Sequence, residues 1–98
     1  MSGASQPVLE IRVGQKVQQM KLSSSPVSIG SSRDNSIRHP SLDEHHCRLH
    51  WENGQLQLED LTDGFGVKVQ GELVEGTVDL KKGSVVQCGK IRFRVKSL

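Results

Sequence analysis

The segment Val27–Trp51, VSIGSSRDNSIRHPSLDEHHCRLHW, is the part of this 98-residue chain whose reading decides the fold. It opens on a short apolar run, Val27-Ser28-Ile29, that stops at Gly30. A polar loop with Ser31, Ser32, Arg33, Asp34 and Asn35 follows, then His39-Pro40-Ser41. The segment closes on Cys47-Arg48-Leu49-His50-Trp51, where apolar and polar residues alternate. That period of two predicts a strand over His46–Trp51, with Cys47, Leu49 and Trp51 on one face and His46, Arg48 and His50 on the other. Two strands that bracket a polar loop, in a segment holding all four of the chain's histidines, form a place where a ligand can be held.

Working outward, the same periodicity recurs. Leu9, Ile11 and Val13 alternate with Glu10 and Arg12, Gly14-Gln15 turns the chain, and Lys16 to Leu22 reads as the returning strand. Ser23 to Pro26 is a loop, and Val27 and Ile29 face inward beyond it. Ser36-Ile37-Arg38 is long enough for a very short strand. Asn53-Gly54 is the strongest local signal, because both residues of a type I′ hairpin turn need positive φ. Leu56, Leu58 and Leu61 lead out of it. Asp63-Gly64-Phe65-Gly66 is a second special loop, after which Val67 and Val69 alternate around Lys68 and Gln70-Gly71 turns again. Leu73, Val78 and Leu80 are expected to continue the core pattern. Val85 to Cys88 forms a strand ending at Gly89, and Ile91, Phe93 and Val95 alternate with Arg92, Arg94 and Lys96 in the last one. With no stretch of helical period and turns at near-regular spacing, the expected class is an all-β sandwich or barrel.

Composition narrows the function. A chain this short is expected to be one domain, or one domain cut from a longer protein, burying a little over ~60% of its unfolded surface. Three aromatic residues, Trp51, Phe65 and Phe93, leave most of the core to Val, Leu and Ile. Thirteen basic residues against eleven acidic ones, for a net charge of +2, give no electrostatic footprint for nucleic acid. The stripe Arg92, Arg94, Lys96 reads as a solvated strand face that can also attract an acidic partner. Cys47 and Cys88 lie in apolar strand patterns and read as buried thiols in a reducing compartment. Residues 1–6, small and polar, are expected to be a disordered leader without signal-peptide character, and no apolar run approaches the length of a membrane span. The expected location is intracellular, cytoplasmic or nuclear, with no membrane contact within the chain.

Neither catalysis nor metal binding has a motif. Cys47 and His46 are adjacent on a strand and so point to opposite faces, which separates a nucleophile from its base. His39, His45, His46 and Cys47 lack zinc spacing, and four strand residues carry His50 about 13 Å from His46. No enzyme activity, cofactor or metal site is expected.

The order Ile29-Gly30, Pro40-Ser41, His46-Cys47, Asn53-Gly54, Leu58-Glu59-Asp60-Leu61, Gly66, Val69-Gln70-Gly71, Lys82-Gly83-Ser84-Val85-Val86 and Cys88-Gly89 resembles the forkhead-associated (FHA) domain over about residues 8–97. The resemblance implies a β-sandwich of about eleven strands in two sheets over residues 7–98, whose end loops recognise phosphothreonine peptides. Because the sequence stops almost as soon as its last strand does, one module of a larger protein is the expectation. Carried over position by position, the family's recognition set changes. Ser31 stands where the arginine after the first glycine belongs, Asp43 where the serine of Ser-x-x-His belongs, and Phe65 where the loop asparagine belongs. Gly30 and His46, which shape and brace the loops, are kept.

The first expectation is therefore a scaffold or assembly module that docks a protein without phosphothreonine. Its surface comprises Ser31, Ser32, Arg33 and Asn35 from one loop, Ser41, Asp43, Glu44 and His45 from the second, and Gly64, Phe65 and Gly66 from the third. One alternative is an atypical phosphothreonine reader built on Arg33, Ser31, Ser32 and His46. The other is a structural ring subunit of a bacterial secretion system, which a membrane span soon after Leu98 would favour. The sequence leaves open whether Phe65 is tucked in or exposed, and which oligomeric state is adopted.

Overall fold

The computed structural model describes residues 6–23 and 25–98. The expected leader, residues 1–6, lies outside the described residues save for Gln6, and Ser24 of the expected 23–26 loop lies outside them too. Eleven strands form the chain: β1 Val8–Val13, β2 Lys16–Lys21, β3 Val27–Gly30, β4 Ile37–Arg38, β5 Cys47–Glu52, β6 Gln55–Asp60, β7 Val67–Val69, β8 Glu72–Leu73, β9 Thr77–Leu80, β10 Val85–Cys88 and β11 Ile91–Ser97. They make a six-stranded sheet, β2-β1-β11-β10-β7-β8, facing a five-stranded sheet, β4-β3-β5-β6-β9. Pairing is antiparallel throughout except for β3 with β4.

Local chemistry sets the hairpins. Asn53 (φ 54°) and Gly54 (φ 79°) both sit in the left-handed region, so the β5–β6 turn is the two-residue type expected from Asn-Gly. Gln70 (φ 53°) and Gly71 (φ 84°) repeat the device between β7 and β8. The strands then bury alternate residues between the sheets. Leu9, Ile11, Val86, Ile91, Phe93 and Val95 come from one side, and Val27, Ile29, Leu49, Leu56, Leu58 and Leu80 from the other. Cys47 and Cys88 are buried and unbridged, one in each sheet. The hydrogen bond with the Cys88 thiol, reinforced by burial, pushes the Cys47 thiol well above its ordinary range. That favours the inert thiol over the nucleophilic thiolate.

Two expectations change. Leu73 does not join the core but is 56% exposed, because β8 is a two-residue edge strand that sets Leu73 opposite the outward-facing Lys68. In a strand this short the turn fixes the register, and one residue of register decides the face. The predicted strand over His46–Trp51 begins at Cys47 and ends at Glu52 instead, and His46 is buried despite its alternation phase.

These placements give a stability test by urea unfolding. Leu49→Ala, at a fully buried position, is expected to cost about 2–5 kcal/mol. Leu73→Ala should stay within about 0.5 kcal/mol of the parent.

Candidate functional site at the loop end

Three loops meet at one end of the sandwich, and backbone hydrogen bonds lace the first two together. Beyond β3, Ser31 N–H donates to the Asp43 carbonyl (2.8 Å) and Ser32 N–H to that of Glu44 (3.3 Å). His46 N–H donates to the Ile29 carbonyl at 2.9 Å. Gly30 lies at the crossing, where a Cβ would collide with the Glu44 carbonyl and the Asn35 amide. Asn35, only 8% exposed, plugs the first loop by donating both amide hydrogens, to Ser32 O (3.0 Å) and Glu44 O (2.7 Å).

His46 ties the second loop to the third. Its Nδ1 accepts from Asp43 N–H (3.0 Å), so the other nitrogen carries the proton and donates to the Gly66 carbonyl at 2.7 Å. Both nitrogens are thus engaged inside the protein, with the residue 4% exposed. Gly66 has no room for a side chain, since a Cβ would stand 2.7 Å from His46 Nε2.

Asp60 organises the third loop from beneath. Its Oδ1 accepts Thr62 N–H (2.9 Å) and the Thr62 hydroxyl (2.6 Å), and its Oδ2 accepts Gly64 N–H (2.6 Å). Thr62 Oγ1 in turn accepts Gly66 N–H at 2.7 Å. Asp63 (φ 58°) and Gly64 (φ 86°) turn left-handed above this brace. Phe65, next in the chain, is 82% exposed.

The sequence-predicted residues divide into two groups. Arg33, Asp43, Glu44, His45 and Phe65 are exposed at the surface. The Ser32 hydroxyl donates to Asp34 Oδ1 (2.6 Å) and holds that carboxyl below its usual range. Ser41 bridges to the β10–β11 turn, its Oγ accepting Lys90 N–H at 3.0 Å and lying 2.8 Å from His39 Nδ1. Among the described residues, no three His, Cys, Asp or Glu side chains converge on a metal position. No helix there is long and apolar enough to cross a membrane.

Sequence reasoning quoted Asp60 without giving it a role, and it passed over Thr62 and the bracing role of Asn35. The Asp-x-Thr step ahead of Asp63-Gly64 is the usable signal, because a carboxylate and a hydroxyl two residues apart supply local acceptors for a turn. Burial of Asp60 opposes its ionisation, but the donors of Thr62 and Gly64 outweigh it and hold the carboxyl below its ordinary 3.8. A depressed folded-state value contributes stability that is present above the unfolded value and lost as pH falls through the folded one. Asp60→Asn should therefore be less stable than the parent at pH about 7, with the gap narrowing below pH about 4 in urea titrations.

The FHA domain signature matches residues 27–89. Among solved structures, the FHA domain of CT664 from Chlamydia trachomatis superposes with a TM-score of 0.83 at 22% identity, covering 96% of this chain and 99% of that one. The FhaA FHA domain, solved with the intracellular domain of Rv3910, gives 0.79 at 23% identity, over 92% and 99%. Mycobacterium tuberculosis EmbR, solved with a low affinity phosphopeptide, gives 0.81 at 22% identity, over 99% of this chain and 26% of that one. No curated protein matches significantly in sequence. At such identities the structural likeness carries the fold, while the signature spans β3 through Gly89 and every loop just described. On that ground the chain belongs to the FHA domain family.

Proposed function

We propose that this domain is a non-catalytic docking module that holds a protein partner by its loop end without requiring phosphothreonine. The supporting observation is what the loop end shows to solvent. Phe65 stands 82% exposed at the position that resembles the family's asparagine. On the same three loops Asp34, Asp43, Glu44 and Asp63 are all exposed, and the exposed cations nearby are Arg33 in the first loop, Arg38 paired beside Gly30, and Lys90 in the turn bonded to Ser41.

A phosphothreonine brings about 1.5–2 negative charges and needs Arg forks, hydroxyls or free N–H groups. Here the N–H of Ser31, the hydroxyl of Ser32 and both nitrogens of His46 are engaged within the fold. Asp43 presents a carboxylate where the resemblance places a hydroxyl donor, and a carboxylate there repels a phosphate dianion instead of binding it. Phe65 has neither donor nor acceptor for a peptide backbone, yet an exposed aromatic on a braced loop suits a buried anchor. The partner this surface fits has an apolar socket with a basic rim.

Titration with a phosphothreonine peptide library and its unphosphorylated twin tests the reading. Affinities for the two forms should agree, and Phe65→Ala should weaken whatever protein ligand is selected by about tenfold or more. Binding that needs the phosphate and is lost in Arg33→Ala would instead establish the phosphothreonine reader built on Arg33, Ser31, Ser32 and His46.

A further inference from the structure

The outer face of the six-stranded sheet segregates charge. Pairing places Val17 opposite Arg12, Arg12 opposite Arg92, Arg92 opposite Gln87, Gln87 opposite Lys68 and Lys68 opposite Leu73. At about 4.8 Å per strand that row is about 24 Å wide. It is cationic in its middle, with an exposed aliphatic at each end, Val17 at 48% and Leu73 at 56%. A second row sets Arg94 between Glu10 and Val85, and exposed Lys96 continues along β11. Of the chain's eleven acidic residues only Glu10 faces outward here.

Arg12 and Arg92 directly opposite each other repel, and like charges so placed destabilise a sheet. Among the described residues the ion pairs are Arg48 and His50 with Glu59, on the other sheet, so none relieves them. Arg12, Arg92 and Arg94 instead share a shallow cleft of about 130 Å³ with Glu10, Val85 and Phe93.

We propose that this face docks an extended acidic segment of a protein, laid along β11 with carboxylates at alternate residues. The spacing carries the argument. Arg92 and Arg94 are two residues apart on a regular stretch of one strand, hence about 6.6–6.8 Å apart, and carboxylates at every second position of another extended chain repeat at the same distance; exposed Lys96 lies just beyond them, where the β1–β11 register shifts. The guanidiniums offer the planar fork that a carboxylate accepts. The exposed aliphatics at the ends of the row suit apolar residues outside the acidic run. Single-stranded nucleic acid is disfavoured because this face exposes no aromatic ring to stack a base, Phe93 beneath the cleft being buried. A bilayer is disfavoured because Val17 and Leu73 sit at opposite edges of the row and form no continuous apolar patch. The surface is separate from the loop end, and the proposal does not rest on the reading given above for that site.

The test is fluorescence anisotropy of the domain with a labelled peptide of alternating Glu and Val and with a block peptide of equal composition, at about 50 mM and about 200 mM salt. The alternating peptide should bind about tenfold tighter, and Arg92→Glu with Arg94→Glu, checked for folding by circular dichroism, should lose at least that factor. Arg12→Gln should weaken binding while raising Tm, a combination that a merely solubilising arginine would not produce. Glu52→Gln, at the end of β5 in the five-stranded sheet, should leave peptide binding unchanged. Equal affinity for the two peptides would overturn the proposal. So would tighter binding of duplex DNA or of phosphatidylserine vesicles, or sedimentation showing that the face is occupied by a second copy's acidic loop end.

Discussion

The imidazole of His46 is the constraint on which the loop end depends. It accepts from the backbone of the second loop and donates to the backbone of the third, 20 residues away in sequence. A neutral ring in one tautomer satisfies both bonds, and its burial makes each costly to leave unmade. Gly66 follows from it, since a Cβ there would meet the ring, while Gly30 is required separately by the Glu44 carbonyl and the Asn35 amide. Asp60 and Thr62 complete the frame from the other side by collecting the N–H groups of the third loop. Together these groups fix the three loops through main-chain atoms, so the exposed side chains on them are free to differ without loss of shape.

That separation of frame from surface explains how one fold carries two oppositely charged faces. The loop end exposes Phe65 and several carboxylates, whereas the outer face of the six-stranded sheet exposes Arg12 on β1 and Arg92, Arg94 and Lys96 on β11. A net charge of +2 conceals this arrangement, because the opposing charges lie on different surfaces rather than in ion pairs. The one described ionic cluster, Arg48 and His50 with Glu59, lies on partly exposed strand faces of the five-stranded sheet, where such pairs contribute little.

Much of this was legible in the residues. Alternation at Leu9–Val13 and Ile91–Val95, and positive-φ chemistry at Asn53-Gly54, are local signals that needed no tertiary knowledge. Leu73 was misread because periodicity gives a face only relative to a register, and the Gln70-Gly71 turn chose the register. The bracing of Asn35 could not be read either, because its acceptors include a carbonyl nine residues on. Exposure of Phe65 was likewise undecided until the left-handed pair Asp63-Gly64 directed the chain outward. Local geometry is written in neighbouring residues. Satisfaction of buried polar groups is written across the fold.

If the frame is intact and only its surface groups differ, then returning three side chains should return phosphothreonine recognition. The direct measurement is anisotropy of a phosphothreonine peptide and its unphosphorylated twin against the parent and against Ser31→Arg/Asp43→Ser/Phe65→Asn. The account predicts no discrimination by the parent and at least about tenfold preference for the phosphorylated form by the triple variant. Discrimination already present in the parent, or a folded triple variant that still ignores the phosphate, would contradict it.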